Sequence, residues 1–217
     1  MTRICFISDT HTKHKQINLL PDADILIHAG DISSMGYEHE IKGFLAWFSR
    51  IGDYKHRIFI AGNHDWLYQK NGLLARSFAP DNVTYLEDSG IVVEGLTIYG
   101  TPVCPIFYNW AFMKSEIELK KHWLAIPDNT DILITHSPPN GILDFISGDY
   151  AGSTTLYKEV TTRIKPLINV FGHIHSQHGI LEKDGTYYIN AANLNESYQY
   201  EYPPVVVDII DGIVAVI

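Results

Sequence analysis

Asp9 and His11 stand two residues apart at the close of an apolar run, and His173 and His175 repeat that spacing late in the chain. In extended backbone, residues i and i+2 project to the same side, so each pair can send two donors into one cavity. Three further polar clusters lie between them: Gly30-Asp31, Gly62-Asn63-His64-Asp65 and Thr135-His136. Together they offer carboxylate, amide and imidazole groups, the oxygen and nitrogen donors that suit divalent transition ions. Asp9, His11, Asp31, Asn63, His136, His173 and His175 make seven candidate ligands. Seven exceeds the four positions of one zinc site and fits two ions that share a carboxylate, about 3.5–4 Å apart. Gly30, Gly62 and Gly172 directly precede Asp31, Asn63 and His173. A side chain there would obstruct a close backbone approach or a positive φ. No cysteine or serine elbow of a covalent hydrolase stands among these clusters.

Such donors need rigid elements to hold them. Five β-rich runs end on the clusters: RICFIS at 3–8, DILIHAG at 24–30, RIFIAG at 57–62, DILITH at 131–136 and INVFGH at 168–173. They show little polar alternation, which predicts strands covered on both faces. In open α/β sheets, ligands gather outside the carboxyl ends of such strands. Helical spacing of Ile41, Phe44, Leu45, Phe48 and Ile51 predicts an amphipathic helix over 38–51, and Ile117, Trp123 and Leu124 mark another over 114–126. Alternating runs at 83–101 and 178–217, broken by pairs such as Asp184-Gly185 and Asp211-Gly212, predict antiparallel hairpins. With no linker or internal repeat, one layered α/β domain over 1–217 is expected.

The chain has 217 residues, 46% of them hydrophobic, enough for a sizeable core. Its net charge of −9 lacks the clustered lysine and arginine that neutralise phosphates, which disfavours a nucleic-acid polymer as partner. Cys5 and Cys104 read as reduced, unpaired thiols. The start, MTRICFISDTH, lacks the apolar stretch of a secretory leader, and no run reaches the roughly 18 apolar residues of a membrane span. A soluble cytoplasmic protein without a membrane partner is expected. Of eleven histidines, His14, His39, His56, His122 and His178 are expected at the surface, and His28, on its strand, as a satisfied core residue.

The ordered set D-x-H, G-D, G-N-H-D, H and G-H-x-H resembles the calcineurin-like metallophosphoesterases. Outside those motifs, GTPVCPIFYNWAFM at 100–113, THSPPNGILD at 135–144 and NAANLNESYQYEYPPVVVDI at 190–209 resemble the metallophosphoesterase-domain-containing branch, the class III cyclic nucleotide phosphodiesterases. Some members of that branch are substituted in the last motif, whereas His173 and His175 are both present in this chain. The resemblance implies a four-layer αββα sandwich of two mixed sheets flanked by helices. It also implies two divalent ions, the first held by Asp9, His11 and His175, the second by Asn63, His136 and His173, with Asp31 shared. The metals open to such ligands are Mn, Fe, Co, Ni and Zn, with manganese expected for activity.

In the implied mechanism a hydroxide bridging the two ions attacks phosphorus in line, and His64 stabilises or protonates the departing oxygen. Asp65 is expected either to orient His64 or its loop, or to cap the helix of WLYQKNGLLARSF. The aromatic 102–113 stretch is either a loop packed on the core or a wall for a nucleobase, and Trp110 and Asn193 are the expected substrate contacts. A phosphodiesterase acting on small substrates, cyclic nucleotides among them, is the expected activity. The alternatives are a phosphomonoesterase, nucleotidase-like or protein-phosphatase-like, and a metal-binding scaffold with little turnover.

Overall fold

The computed structural model describes residues 1–17 and 19–217. In chain order the elements begin with β1 (Thr2–Ile7), β2 (Ile25–His28), α1 (Glu38–Phe48), β3 (His56–Phe59), α2 (Trp66–Lys70) and α3 (Gly72–Arg76). They continue with β4 (Thr84–Tyr85), β5 (Ser89–Val93), β6 (Leu96–Thr101), β7 (Cys104–Pro105), β8 (Met113–Lys114), α4 (Glu116–Ala125) and β9 (Ile132–Thr135). The remainder comprises β10 (Phe145–Ile146), β11 (Asp149–Tyr150), α5 (Thr154–Glu159), β12 (Ile168–Phe171), β13 (Gly179–Lys183), β14 (Thr186–Asn190), β15 (Val205–Ile210) and β16 (Ile213–Val216).

One sheet has the order β16-β15-β1-β2-β3-β4, the other β13-β14-β12-β9-β6-β5. In the first, β1 to β4 run parallel and the β15–β16 hairpin closes one side antiparallel. In the second, β6, β9, β12 and β14 run parallel between antiparallel β5 and β13. Side chains alternate across each strand, and the alternation sorts the core into three layers. Ile4, Phe6, Ile27 and Ile58 of the first sheet meet Ile98, Ile132, Val170 and Ile189 of the second. Cys5, Ile7, Leu26 and Phe59 point the other way and pack under Ile41, Phe44, Leu45 and Phe48 of α1. Tyr99, Leu133 and Phe171 do the same beneath Leu119 and Trp123 of α4 and Leu156 of α5. The result is the expected αββα sandwich.

Helix α1 stops at Phe48, so Ile51 lies in the following bend rather than on the helical stripe. Its first turn is secured by the Glu40 carboxylate, which accepts from the backbone N–H of Tyr37 at 2.9 Å and of Met35 at 3.1 Å. Helix α4 keeps only Trp123 of its expected face inside: Trp123 is buried together with Leu119, whereas Ile117 is 81% and Leu124 55% exposed. The expected helix after Asp65 is two short ones, broken at Asn71, whose Oδ1 accepts from the Leu74 N–H at 3.4 Å. No helix among the described residues is long and apolar enough to cross a membrane.

Two histidines resolve differently from one another. His28 is buried and satisfied as expected: its Nδ1 accepts from the Gly30 N–H at 3.2 Å and its Nε2 donates to Thr10 Oγ1 at 3.0 Å. His14, expected at the surface, is buried instead, with its ring against Phe44 and Trp47 and neither nitrogen partnered among the described residues.

Candidate dimetal site

The carboxyl ends of β1, β2 and β3 in the first sheet and of β9 and β12 in the second converge on one rim. Hydrogen bonds between the sheets fix that convergence. The Asn193 N–H, past β14, donates to Ser8 O, and the Ser8 N–H donates back to Asn193 Oδ1 at 3.2 Å. The backbone at the rim is bent. Asp9, His11, Asp31 and His173 have φ of 53°, 37°, 57° and 67°, a left-handed conformation costing L residues roughly 1–2 kcal/mol. Non-glycine residues held this way cluster at functional sites. Two of the expected glycines answer to space: a Cβ at Gly172 would lie 1.8 Å from Asp9 Oδ2, and one at Gly62 would lie 2.2 Å from Asp31 Oδ1. Gly30 answers to conformation as well, with φ of +104°.

Six of the seven predicted ligands meet through side-chain donor atoms. His175 Nε2 lies 3.2 Å from Asp9 Oδ1 and 3.3 Å from His11 Nε2. His136 Nε2 lies 3.0 Å from Asn63 Oδ1. Between these groups stands Asp31, whose Oδ2 is 3.5 Å from His11 Nε2 and 3.3 Å from His136 Nε2. The seventh, His173, adjoins through its ring, 5.2 Å from that of His136, while its backbone N–H donates to both Asp9 oxygens at 3.1 and 3.0 Å.

Backbone carbonyls set the imidazole tautomers. His136 Nδ1 donates to Ala29 O at 2.9 Å and His175 Nδ1 to Asn195 O at 3.0 Å. Each therefore presents Nε2 to the cavity, the usual arrangement for an imidazole ligand. Charges follow the same geometry. Burial alone would raise Asp9, yet the hydrogen bond and charge of His175 and the charge of His136 hold its pKa below the usual carboxylate range. Burial pushes His11 down to about 3 against the pull of Asp31 and Asp9, and burial with the His136 charge takes His173 to about 4. Burial would also lower His136, but Asp31 outweighs it and raises the ring to about 10.

This donor set suits divalent ions. Asp9 and Asp31 are buried, and among the described residues no lysine or arginine pairs with either. Two buried carboxylates balanced only by imidazoles call for further positive charge. Donor atoms of Asp9, His11 and His175, and likewise of Asp9, Asp31 and His136, lie within 4.8 Å of one another.

His64 sits at the wall of a cleft of about 360 Å³ above this cluster, which Trp110, Phe107 and Tyr198 also line. Its Nδ1 donates to Ser34 O at 2.7 Å. Its ring stacks on Trp110 at 4.2 Å and meets His11 edge-on at 4.6 Å. Trp110 thus lines the cleft while also packing on His64.

Asp65 holds its own loop, and Asn193 is elsewhere than expected. Asp65 is fully buried; it occupies the N-cap position of α2 without a side-chain cap bond there. Its carboxylate accepts from the backbone N–H of Gly62 at 2.8 Å, Ser33 at 2.9 Å and Ile32 at 3.2 Å, and from Ser33 Oγ at 2.5 Å. It ties the loop carrying Asn63 to the loop carrying Asp31 and has no access to a reacting group. Burial and the Asp31 charge push its pKa up to about 7 against those donors. Asn193 is likewise fully buried, with Oδ1 occupied by Ser8 and Nδ2 donating to Tyr202 O at 3.1 Å, so it clamps chain rather than substrate. The Ser33, Ser34 and Asn195 contributions were not anticipated, because backbone carbonyls and loop pairings carry no residue-type signal. Tyr198 places its ring 4.9 Å from His11 and 5.2 Å from His175.

Comparisons with known proteins agree with this geometry. The chain is 36% identical to human metallophosphoesterase domain-containing protein 1 over 233 aligned positions, covering 96% of this chain and 71% of that protein. It is 34% identical to a UPF0046 protein of Caenorhabditis elegans, covering 94% and 74%. Among solved structures, phosphopantetheinyl hydrolase from Mycobacterium tuberculosis superposes with a TM-score of 0.62 at 18% identity over 87% of this chain and 88% of that one. Haemophilus influenzae NAD nucleotidase superposes with a TM-score of 0.56 at 14% identity over 100% and 49%. Both share the fold. Residues 2–177, which contain every element of the rim, match the calcineurin-like phosphoesterase family, and the chain belongs to that family of metal-dependent phosphoric ester hydrolases.

Proposed function

We propose that this protein is a dimetal phosphodiesterase that hydrolyses small phosphodiesters, cyclic nucleotides among them. The observation that carries the reading is the placement of Asp31 Oδ2 between His11 and His136, which lets one carboxylate serve two donor groups. Asp9, His11 and His175 would hold one ion, Asn63, His136 and His173 the other, and Asp31 both. Divalent ions in such a set supply charge to the phosphoryl oxygens and acidify water, and manganese is the favoured activator among Mn, Fe, Co, Ni and Zn.

The chain's own groups do the rest. With Nδ1 committed to Ser34 O, His64 keeps Nε2 as the nitrogen that holds or releases a proton at the departing oxygen. Trp110 supports that ring from behind. Preference for a diester follows from the lining. The cleft presents aromatic rings and imidazoles, and among the described residues no lysine or arginine lines it to clamp the second charge of a monoester. Arg76 and Arg163 are engaged elsewhere, with Glu87 and with Glu159.

The test is a substrate panel with manganese-loaded protein: 2′,3′- and 3′,5′-cyclic nucleotides, bis(p-nitrophenyl) phosphate and p-nitrophenyl phosphate. Diesters are expected to show the higher kcat/KM. His64→Ala should lower kcat about 10²–10⁴-fold, and Asp31→Asn should abolish turnover. A monoester preference, or unchanged rates in both variants, would overturn the reading.

A further inference from the structure

His28 is a buried imidazole outside the ligand set, on a strand whose other side chains are apolar. Strand β2 reads Ile25-Leu26-Ile27-His28, and at 0% exposure the ring of His28 lies edge-on to Phe44 at 5.0 Å and to Phe48 at 6.4 Å, both in α1. An aliphatic side chain would fill that position without taking two ring nitrogens out of water. Both nitrogens are spent, and both on the rim. The Gly30 N–H donates to Nδ1 at 3.2 Å, which fixes the neutral tautomer with its proton on Nε2, and Nε2 donates to Thr10 Oγ1 at 3.0 Å.

Those two partners lie inside the two bends that carry the carboxylates. Thr10 stands between Asp9 and His11, with φ of 53° and 37°, and Gly30, with φ of 104°, precedes Asp31, with φ of 57°. Backbone bonds lay the bends side by side: the Asp9 N–H donates to Gly30 O and the His11 N–H to Asp31 O, each at 3.0 Å. These bonds pass over the Thr10 hydroxyl and the Gly30 N–H, which among the described residues bond to His28 alone. Left-handed L residues persist where their surroundings over-determine them, and His28 does so at both bends from one ring. Ala29, between His28 and Gly30, accepts from His136 Nδ1 at 2.9 Å, so a shift of this segment also reaches the group of Asn63, His136 and His173.

We propose that His28 is a positioning residue of the dimetal site: one buried imidazole holds the Asp9–His11 bend and the Gly30–Asp31 bend at a fixed spacing, so that the two ligand groups sharing Asp31 are in place before ions arrive. This role rests on the rim holding two ions, as under the proposed function, and is independent of which ester is cleaved.

Manganese binding, rather than turnover, tests it. Protein freed of metal with chelator is titrated calorimetrically with manganese chloride while its electron paramagnetic resonance spectrum is followed. Wild type should take up two ions and show the exchange-coupled signal of a pair sharing a carboxylate. Thr10→Val cuts only the link to the Asp9–His11 bend. It should weaken one ion by at least about tenfold, the scale for a group that orients ligands, and leave the other within about threefold. With two equivalents of manganese, its coupled signal should give way to that of isolated ions. Thr10→Ser keeps the hydroxyl and should restore both affinities to within about twofold of wild type. His28→Leu releases both bends and should weaken both ions at least about tenfold. Melting temperature in chelator is measured alongside. A lower melting temperature in Thr10→Val with both affinities within about threefold of wild type overturns the role and leaves His28 as core packing, whether or not His28→Leu folds. So does Thr10→Ser binding as weakly as Thr10→Val. Wild type that takes up fewer than two ions overturns the dimetal reading and this role with it, whereas coupled pairs in wild type and Thr10→Val alike overturn this role alone.

Discussion

His14 carries two unpartnered ring nitrogens against Phe44 and Trp47. Burial, with the neighbouring Lys15 charge, pushes its pKa down to about 4, against about 6.5 in the unfolded chain. Between those values the unfolded chain binds a proton that the folded one refuses. Stability from this group is therefore complete above pH 6.5 and drains away as pH falls toward 4, by up to about 3 kcal/mol. His14→Leu should lack that loss. In urea unfolding with chelator present, the stability of the variant minus that of wild type should grow by about 2–3 kcal/mol from pH 7.5 to 4.5. The rim histidines titrate alike in both proteins and cancel, whereas His28, buried and lowered in part by the His14 charge, loses that smaller contribution in the variant. A difference flat with pH would sink the account. The case also marks where residue types stop being legible. The pairs Asp9/His11 and His173/His175 could be read because two-residue spacing is local geometry. His14 and Asn193 were misplaced because each is defined by a neighbour distant in sequence or fold: the α1 aromatics, and the ends of Ser8 and Tyr202.

At the scale of elements, strand ends constrain the site more tightly than helices do. Gly172, just past β12, has Asp9 Oδ2 where a Cβ would stand, and Ser8 Oγ only 2.3 Å from it. Gly172→Ala must displace the Asp9 carboxylate or the strand end itself. Diester turnover is expected to fall about 10²-fold, the scale of an ångström's misplacement. Gly43, inside α1, has nothing within 4 Å of its would-be Cβ. Gly43→Ala should raise stability by about 0.5–1 kcal/mol with turnover unchanged. Thermal melts and rates on the two variants check both, and a Gly172→Ala enzyme of wild-type rate would refute the close-packed rim. The strands were legible because five apolar runs each end on a polar cluster. Helix α4 was legible as a helix and illegible as a face. Its stripe of Ile117 and Leu124 points to solvent, and the buried contacts come from Leu119 and Trp123 against β9, β12 and α5, a choice made by packing rather than periodicity.

At the scale of the molecule, the two sheets divide the ligands. Asp9, His11, Asp31 and Asn63 follow strands of the first sheet, and His136, His173 and His175 follow strands of the second. The groups of three and four also exchange partners, since His175 of the second sheet reaches Asp9 and His136 reaches Asp31 and Asn63. Ion binding at these residues would add links between the two sheets to the Ser8–Asn193, His136–Ala29 and His173–Asp9 bonds and the apolar layer. It also relieves two buried carboxylates that lack lysine or arginine partners. Because the donors lie far apart in an unfolded chain, ions bind the folded state preferentially and stabilise it by mass action. At a free concentration of manganese a hundredfold above its dissociation constant, the gain is about 2.7 kcal/mol per site. For a chain of this length that corresponds to a rise in melting temperature of roughly 5–10 °C. Calorimetric melts with chelator and with manganese measure it, and hydrogen exchange should slow at the carboxyl ends of both β1 and β12. Asp31→Asn should lose most of the rise, because the carboxylate common to both groups is gone. An equal rise in wild type and Asp31→Asn, or protection confined to one sheet, would mean that the ions sit outside the seam between the sheets.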